Sequence, residues 1–205
     1  MRWLLFIALF SGFFLSAPPR ASATVMVEVP FEDMARDADA IVSGQVLSTE
    51  VRIVLDPVRG AVPHTFTRLA VRDWIAGSGG ATVVIEELGG EIQGEGLIIA
   101  GTPIYRVGEE VIVFLERADG RLRTYAMAQG RFEIRRGVGG APDHLQRDLS
   151  DIAFVRWQGG AMQLEAEHGA QRHDAVSLGS FVAYVRRIAN RFGTPTARLS
   201  AEVSQ

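Results

Sequence analysis

Four groups of residues have the types that chemistry needs. The first is acidic. Glu86 and Glu87 end an apolar β-branched run, and Glu91 and Glu95 follow on a glycine-rich stretch. Facing carboxylates at such a place can share acid and base roles in hydrolysis or hold calcium. The Asp-x-Asp-x-Asp-Gly ladder of a calcium loop is missing, so the plain expectation is a solvated strand end. The second group is Glu165, Glu167, His168, His173 and Asp174, carboxylates and imidazoles of the kind that bind zinc. His168 and His173 are five residues apart with Gly169 between them, which puts them on one face of neither a helix nor a strand. That group reads as a solvated loop. The third is His64 beside Thr65 and Thr67, but no Gly-x-Ser-x-Gly elbow accompanies it. The fourth is Trp74 and Trp157, both on expected strands, where an exposed indole can form a binding surface. Gly90, Gly94 and Gly96 lack the spacing and the βαβ surroundings of a dinucleotide fingerprint.

The elements that position these residues are mostly strands. Val25 to Val27 reads as a short strand. Pro30, Glu32 and Asp33 start a short helix whose apolar face is Phe31, Met34, Ala35 and Ala38. A long strand opens at Ala38 and runs to Val54, and Asp56, Pro57, Gly60 and Pro63 form a loop. Thr65 to Ile75 alternates, with a slip between Phe66 and Leu69 that suggests a bulge. Thr82 to Glu86 and Leu97 to Ile99 are further strands. Val111 to Leu115 is apolar throughout, as in a strand buried on both faces. Asp119-Gly120 is a hairpin turn into Leu122 to Met127, and Gly130 to Ile134 follows. Arg135 to Asp148 reads as a loop, and Ile152 to Trp157 with Ala161 to Leu164 as a second hairpin. The last element is a helix capped by Ser177. Its stripe is Leu178, Phe181, Val182, Val185, Ile188, Ala189 and Phe192, and Gly193 and Pro195 end it.

The N-terminus carries an address. Arg2 precedes an apolar run from Trp3 to Leu15, and Ala21-Ser22-Ala23 is a small-x-small cleavage site. The run is about 13 residues, short of the roughly 20 that span a bilayer. The expectation is a signal peptide over residues 1–23 and a mature chain from Thr24, exported to the periplasm or the cell exterior, with no transmembrane segment. Cysteine is absent, which excludes disulfides, thiol catalysis and cysteine-ligated metals. Lysine is absent too, so lysine Schiff bases and Walker-type phosphate loops are excluded. Loss of Arg2 and Arg20 moves the formal charge from −3 to about −5. A mildly acidic chain has no electrostatic footprint for nucleic acid.

This order of elements predicts a mainly β chain: an OB-like small antiparallel barrel over residues 24–134, with a short N-terminal helix. A C-terminal hairpin and amphipathic helix over 135–205 pack on it. The stretches Ala38 to Val46, His64 to Thr67 leading into Val71, and Gly108 to Leu115 resemble a class of uncharacterised exported bacterial proteins. Their layout is similar to the netrin-like modules of tissue inhibitors of metalloproteinases. The resemblance implies a protease-inhibitor-like role centred on the mature N-terminus. Those inhibitors chelate zinc through a disulfide-locked N-terminal cysteine; here Thr24 stands at that position, without a disulfide.

The function expected from the sequence is non-enzymatic binding of a protein or envelope polymer, with no cofactor or metal. Thr24, Trp74, Glu86 and Glu91 are the candidate binding residues. The alternatives are a secreted hydrolase with a carboxylate site around Glu86 to Glu95, or a structural subunit of an envelope assembly.

Overall fold

A strand that is apolar at every position needs a core on each side, and the chain builds both. The computed structural model describes residues 24–56, 58–158, 161–164 and 177–192. The elements are β1 (Thr24–Val27), α1 (Phe31–Asp37), β2 (Ala40–Asp56), β3 (Gly60–Ala76), β4 (Thr82–Leu88), β5 (Gly90–Ile92), β6 (Glu95–Leu97), β7 (Glu110–Ala118) and β8 (Arg121–Thr124). A 3-10 turn over Met127–Gly130 leads to β9 (Arg131–Arg135), β10 (His144–Gln146), β11 (Ile152–Gln158), β12 (Ala161–Leu164) and α2 (Leu178–Phe192). Among the described residues the chain is mainly β, with two α-helices. No helix among the described residues is long and apolar enough to cross a membrane.

The main sheet has seven strands in the order β10-β9-β7-β2-β3-β4-β8. Its last strand, β8, also pairs antiparallel with β7 from Leu115–Thr124 to Ala118–Arg121, and meets β4 in parallel through Ile85 and Leu122. The sheet therefore curls strongly. The β7–β8 connection is Asp119-Gly120, both with positive φ, the backbone that a two-residue hairpin requires. Two smaller sheets complete the fold: β1-β11-β12, with β1 and β11 parallel, and the β5–β6 hairpin.

Val111, Ile112, Val113, Phe114 and Leu115 on β7 have no solvent exposure. Alternation sends Ile112 and Phe114 to one face, where they meet Met34 of α1, Phe132 of β9, and Phe181 and Val185 of α2. Phe31, Phe114, Phe132 and Phe181 form a cluster with ring centroids 4.7–6.4 Å apart. The other side chains, Val111, Val113 and Leu115, pack inside the curl with Val42, Leu69, Val83 and Ile85. The stripe of α2 thus lies on the outer face of the sheet, and an Arg186–Asp73 ion pair at 2.6 Å ties the helix to β3. Ser177 Oγ accepts from the Ser180 amide at 3.4 Å, as a capping serine does. The ends beyond Phe192, with Gly193 and Pro195, lie outside the described residues, as does the 1–23 segment.

Two local expectations change on β3. The pairing of β3 with β4 is regular from Phe66 to Leu69, so no bulge interrupts it there. Thr67, not Phe66, turns inward and is fully buried. Phe66 instead lies outside, under the Arg52 guanidinium at 5.2 Å. The irregularity sits across the ladder in β2, between Val46 and Ser48. Pro63 belongs to β3 rather than to a loop. It pairs with Ile53 of β2, but its carbonyl accepts the Gly89 amide at 2.8 Å. Its polar groups therefore face the β4 side, just beyond the first ladder pair His64–Leu88, and no bond to β2 needs its missing N–H.

Candidate functional site

The two acids that end β4 are both buried, and for different reasons. Consecutive strand residues point to opposite faces. Glu87 shares the inner face with Val83 and Ile85. Its Oε1 accepts the Thr124 amide at 2.8 Å, and the Thr124 hydroxyl bonds the Tyr105 hydroxyl at 2.6 Å. Burial pushes the Glu87 carboxyl up to about 7, against the opposing pull of the Thr124 hydrogen bonds and Arg123. Burial also holds the Tyr105 phenol well above its ordinary value.

Glu86 is on the other face. Its carboxylate takes His64 Nδ1 at 2.7 Å and the Arg121 guanidinium. A carboxylate that orients an imidazole is the supporting half of a nucleophile–base pair. The working half is closed. His64 is 3% exposed, and its Nε2 is buried without a hydrogen-bond partner. The flanking threonines supply no nucleophile to it. Thr65 donates its hydroxyl to the Gly89 carbonyl at 2.8 Å, and Thr67 faces the opposite side of β3. The His64–Glu86–Arg121 group is thus a clamp across β3, β4 and β8, buried at His64 and Glu86 and closed from the solvent side by Arg121.

One open feature is a cleft of about 510 Å³ on the concave side. Thr49 and Val51 of β2 and Thr65 of β3 form its floor. Its walls are the Gly89–Glu91 backbone and the segment from Leu97 to Tyr105. Gly90 is needed there: its φ is +136°, and a Cβ would strike Val51 and Thr65. Two large apolar side chains stand in solvent on the walls, Ile98 at 89% exposure and Ile104 at 58%. The floor strand also has a free edge. The ladder from β2 to β7 stops at Gln45–Glu110, so from Leu47 onward β2 pairs only with β3 among the described residues.

The four candidate residues are not brought together. Glu91 is exposed and lines the cleft. The Thr24 amide donates to the Asp151 carbonyl at 3.0 Å, and Asp151 lines the same cleft. Glu86 is buried in the clamp with His64 and Arg121. Trp74 lies towards the other end of β3, where its indole donates to the Gly80 carbonyl at 3.2 Å and packs on Gly79. Trp157 is on β11. The 165–174 acid and histidine group lies outside the described residues. Among the described residues no cluster of three or more His, Asp or Glu could hold a metal ion. The sequence reading missed Ile98 and Ile104 as surface residues. Their apolar side chains between Gly96, Gly101 and Gly108 were the available signal. Nothing local to Glu86 or Glu87 pointed to Arg121, Thr124 or Tyr105.

No family model matches the chain, and no curated protein or solved structure matches it.

Proposed function

We propose that this chain is an exported, non-enzymatic binding module: an OB-like barrel that engages an extended protein segment in the cleft beside β2. The observation that carries the reading is the apolar cleft itself, with Ile98 and Ile104 held out in solvent on its walls. Its size and mostly apolar lining are those of a ligand site, and large exposed aliphatic side chains at a concave surface mark interaction. An extended segment fits because the edge of β2 from Leu47 onward offers backbone donors and acceptors beside that surface. A peptide that adds a strand there gains main-chain bonds, and its alternate side chains enter the cleft.

The barrel assignment rests on the ring of pairings β7-β2-β3-β4-β8-β7, with β4 and β8 parallel. Small OB-like barrels bind ligands on the face of their second and third strands and the adjacent loops. In this chain those strands are β3 and β4, next to the cleft. Export rests on the Arg2, Trp3–Leu15 and Ala21-Ser22-Ala23 pattern. An inhibitor-like role is the sharpest form of the reading, because the Thr24 amide is bonded to Asp151 on the cleft.

Selection from a displayed random peptide library tests it. The mature chain should enrich peptides of alternating apolar residues. Ile104→Glu should weaken them at least about tenfold. Val84→Glu, on the outer face of β4, should not. Absence of enrichment, or equal binding by both variants, refutes the reading.

A further inference from the structure

From the cleft floor β2 runs on with β3 as a two-stranded arm as far as Asp56. Beyond the irregularity at Val46–Ser48 its ladder to β3 is continuous, while its other edge takes no strand among the described residues. Long exposed edges are usually blunted by a proline, a lysine or an inward charge. From Leu47 to Leu55 this one has no proline and no lysine. It carries exposed aliphatic side chains instead, Ile53 at 59% and Leu55 at 82% exposure. Thr49 and Val51 line the cleft, and alternation puts Ile53 and Leu55 on that same face. Glu50 and Arg52 stand on the opposite face, exposed and ion-paired to each other. Pro63 turns its carbonyl to Gly89, so Ile53 opposite it and, by alternation, Val51 turn their backbone groups to the free edge.

Two such edges can pair antiparallel about a two-fold axis that passes through one residue of β2, and the charges favour one residue. Centred on Glu50, the pairing sets two glutamates directly opposite; centred on Arg52, it sets two arginines so. Like charges in those places destabilise a ladder. Centred on Val51, it sets Glu50 of each copy opposite Arg52 of the other, twice by symmetry. Val51 is also the midpoint of the edge from Leu47 to Leu55, so this register pairs that whole edge. It brings Ile53 opposite Thr49 on the other copy's cleft floor, and Leu55 opposite Leu47.

We propose that two copies of the chain join through this edge: their β2 strands pair antiparallel about a two-fold axis at Val51, and Ile53 of each copy seats at the cleft of the other. The proposal rests on the reading of the edge and cleft as a site for an extended segment, and names that segment as β2 itself. Ile53, Leu55, Ile98 and Ile104, all exposed on a single copy, then line the interface. An interface of one strand per copy is small and reversible. Free peptide and second copy therefore compete for the same edge.

Sedimentation velocity of the folded mature chain at about 1 to 300 μM tests it. The wild type should pass from monomer to dimer in that range. Glu50→Arg and Arg52→Glu are both at exposed side chains, and circular dichroism checks that each keeps the fold. Each sets like charges opposite, so each should weaken the dimer about tenfold or more. An equimolar mixture of the two variants should dimerise as the wild type does, because each like-charged edge then faces its opposite. Both variants lack the Glu50–Arg52 pair within the chain, so the recovery cannot come from it. A wild type that is monomeric throughout, a dimer that ignores the single substitutions, or a mixture no tighter than its components overturns the pairing. A monomer that still enriches library peptides overturns the pairing and leaves the peptide reading standing. A charge-governed dimer without enrichment supports the pairing and refutes free-peptide binding alone.

Discussion

Glu87→Gln isolates a strongly perturbed carboxyl. The carboxyl sits inside the curl, raised by burial to about 7 from an ordinary 4.5. Between those values the folded chain holds a proton that the unfolded chain has released, so stability falls as pH rises through that window. A carboxyl perturbed that far corresponds to roughly 3 kcal/mol, fully present below the unfolded value and lost above the folded one. Glutamine keeps a carbonyl for the Thr124 amide and removes the titration. Other acids act in the opposite sense. Backbone amides hold Asp56 and Asp143 below the ordinary carboxylate range, so their stabilisation is lost as pH falls. The difference between variant and wild type cancels those contributions. Urea unfolding of both proteins at half-unit steps from about pH 4 to 8 gives that difference. It should grow by roughly 3 kcal/mol in favour of Glu87→Gln as pH rises. A difference that stays flat within about 0.5 kcal/mol, below the effect of even a modest perturbation, would mean that Glu87 is ionised and solvated when folded.

Three further outcomes follow from the packing and the N-terminal pattern. Phe114→Ala empties the centre of the aromatic cluster and should cost about 3–5 kcal/mol in denaturant unfolding; a loss under about 1 kcal/mol would show that β7 is not central. Thr67→Val should be neutral or stabilise by about 1 kcal/mol, because the Thr67 hydroxyl is buried without a hydrogen-bond partner; a loss above about 1 kcal/mol would reveal a bond to water or to another group. Intact mass of the exported protein should correspond to a chain that begins at Thr24, and a product that retains Met1 would contradict export by this signal.

What was legible in the sequence is what periodicity encodes. Val111 to Leu115 has no polar residue, and only a strand with cores on both faces tolerates that. The stripe from Leu178 to Ala189 marks one helix face, and Phe181, Val185, Ile188 and Ala189 are buried as a stripe requires. Asp119-Gly120 announced its turn. Contacts between distant segments were not legible. Glu86 and Glu87 read as a solvated strand end because carboxylates at a turn are usually wet. The partners that bury them arrive from 22 and 35 residues away on the Glu86 side and 37 on the Glu87 side. His144 to Gln146 looked like loop beside Pro142, yet it pairs with Glu133 to Arg135 as an edge strand. The slip at Phe66 arises because an apolar residue at an outward position, beneath Arg52, breaks the alternation that periodicity relies on. The cleft has no motif at all. It is made of a floor from β2 and β3 and a wall from a glycine-rich segment, and only the fold brings them together.

Site-specific photo-crosslinking tests the central claim most directly. A photoreactive amino acid placed at Ile98, on the cleft wall, is expressed in the native host and irradiated in intact cells. The same residue at Val84, on the outer face of β4, serves as the reference. The cleft reading predicts a discrete, light-dependent protein adduct from position 98 and none from position 84. No adduct at 98, or the same adducts from both positions, would contradict it.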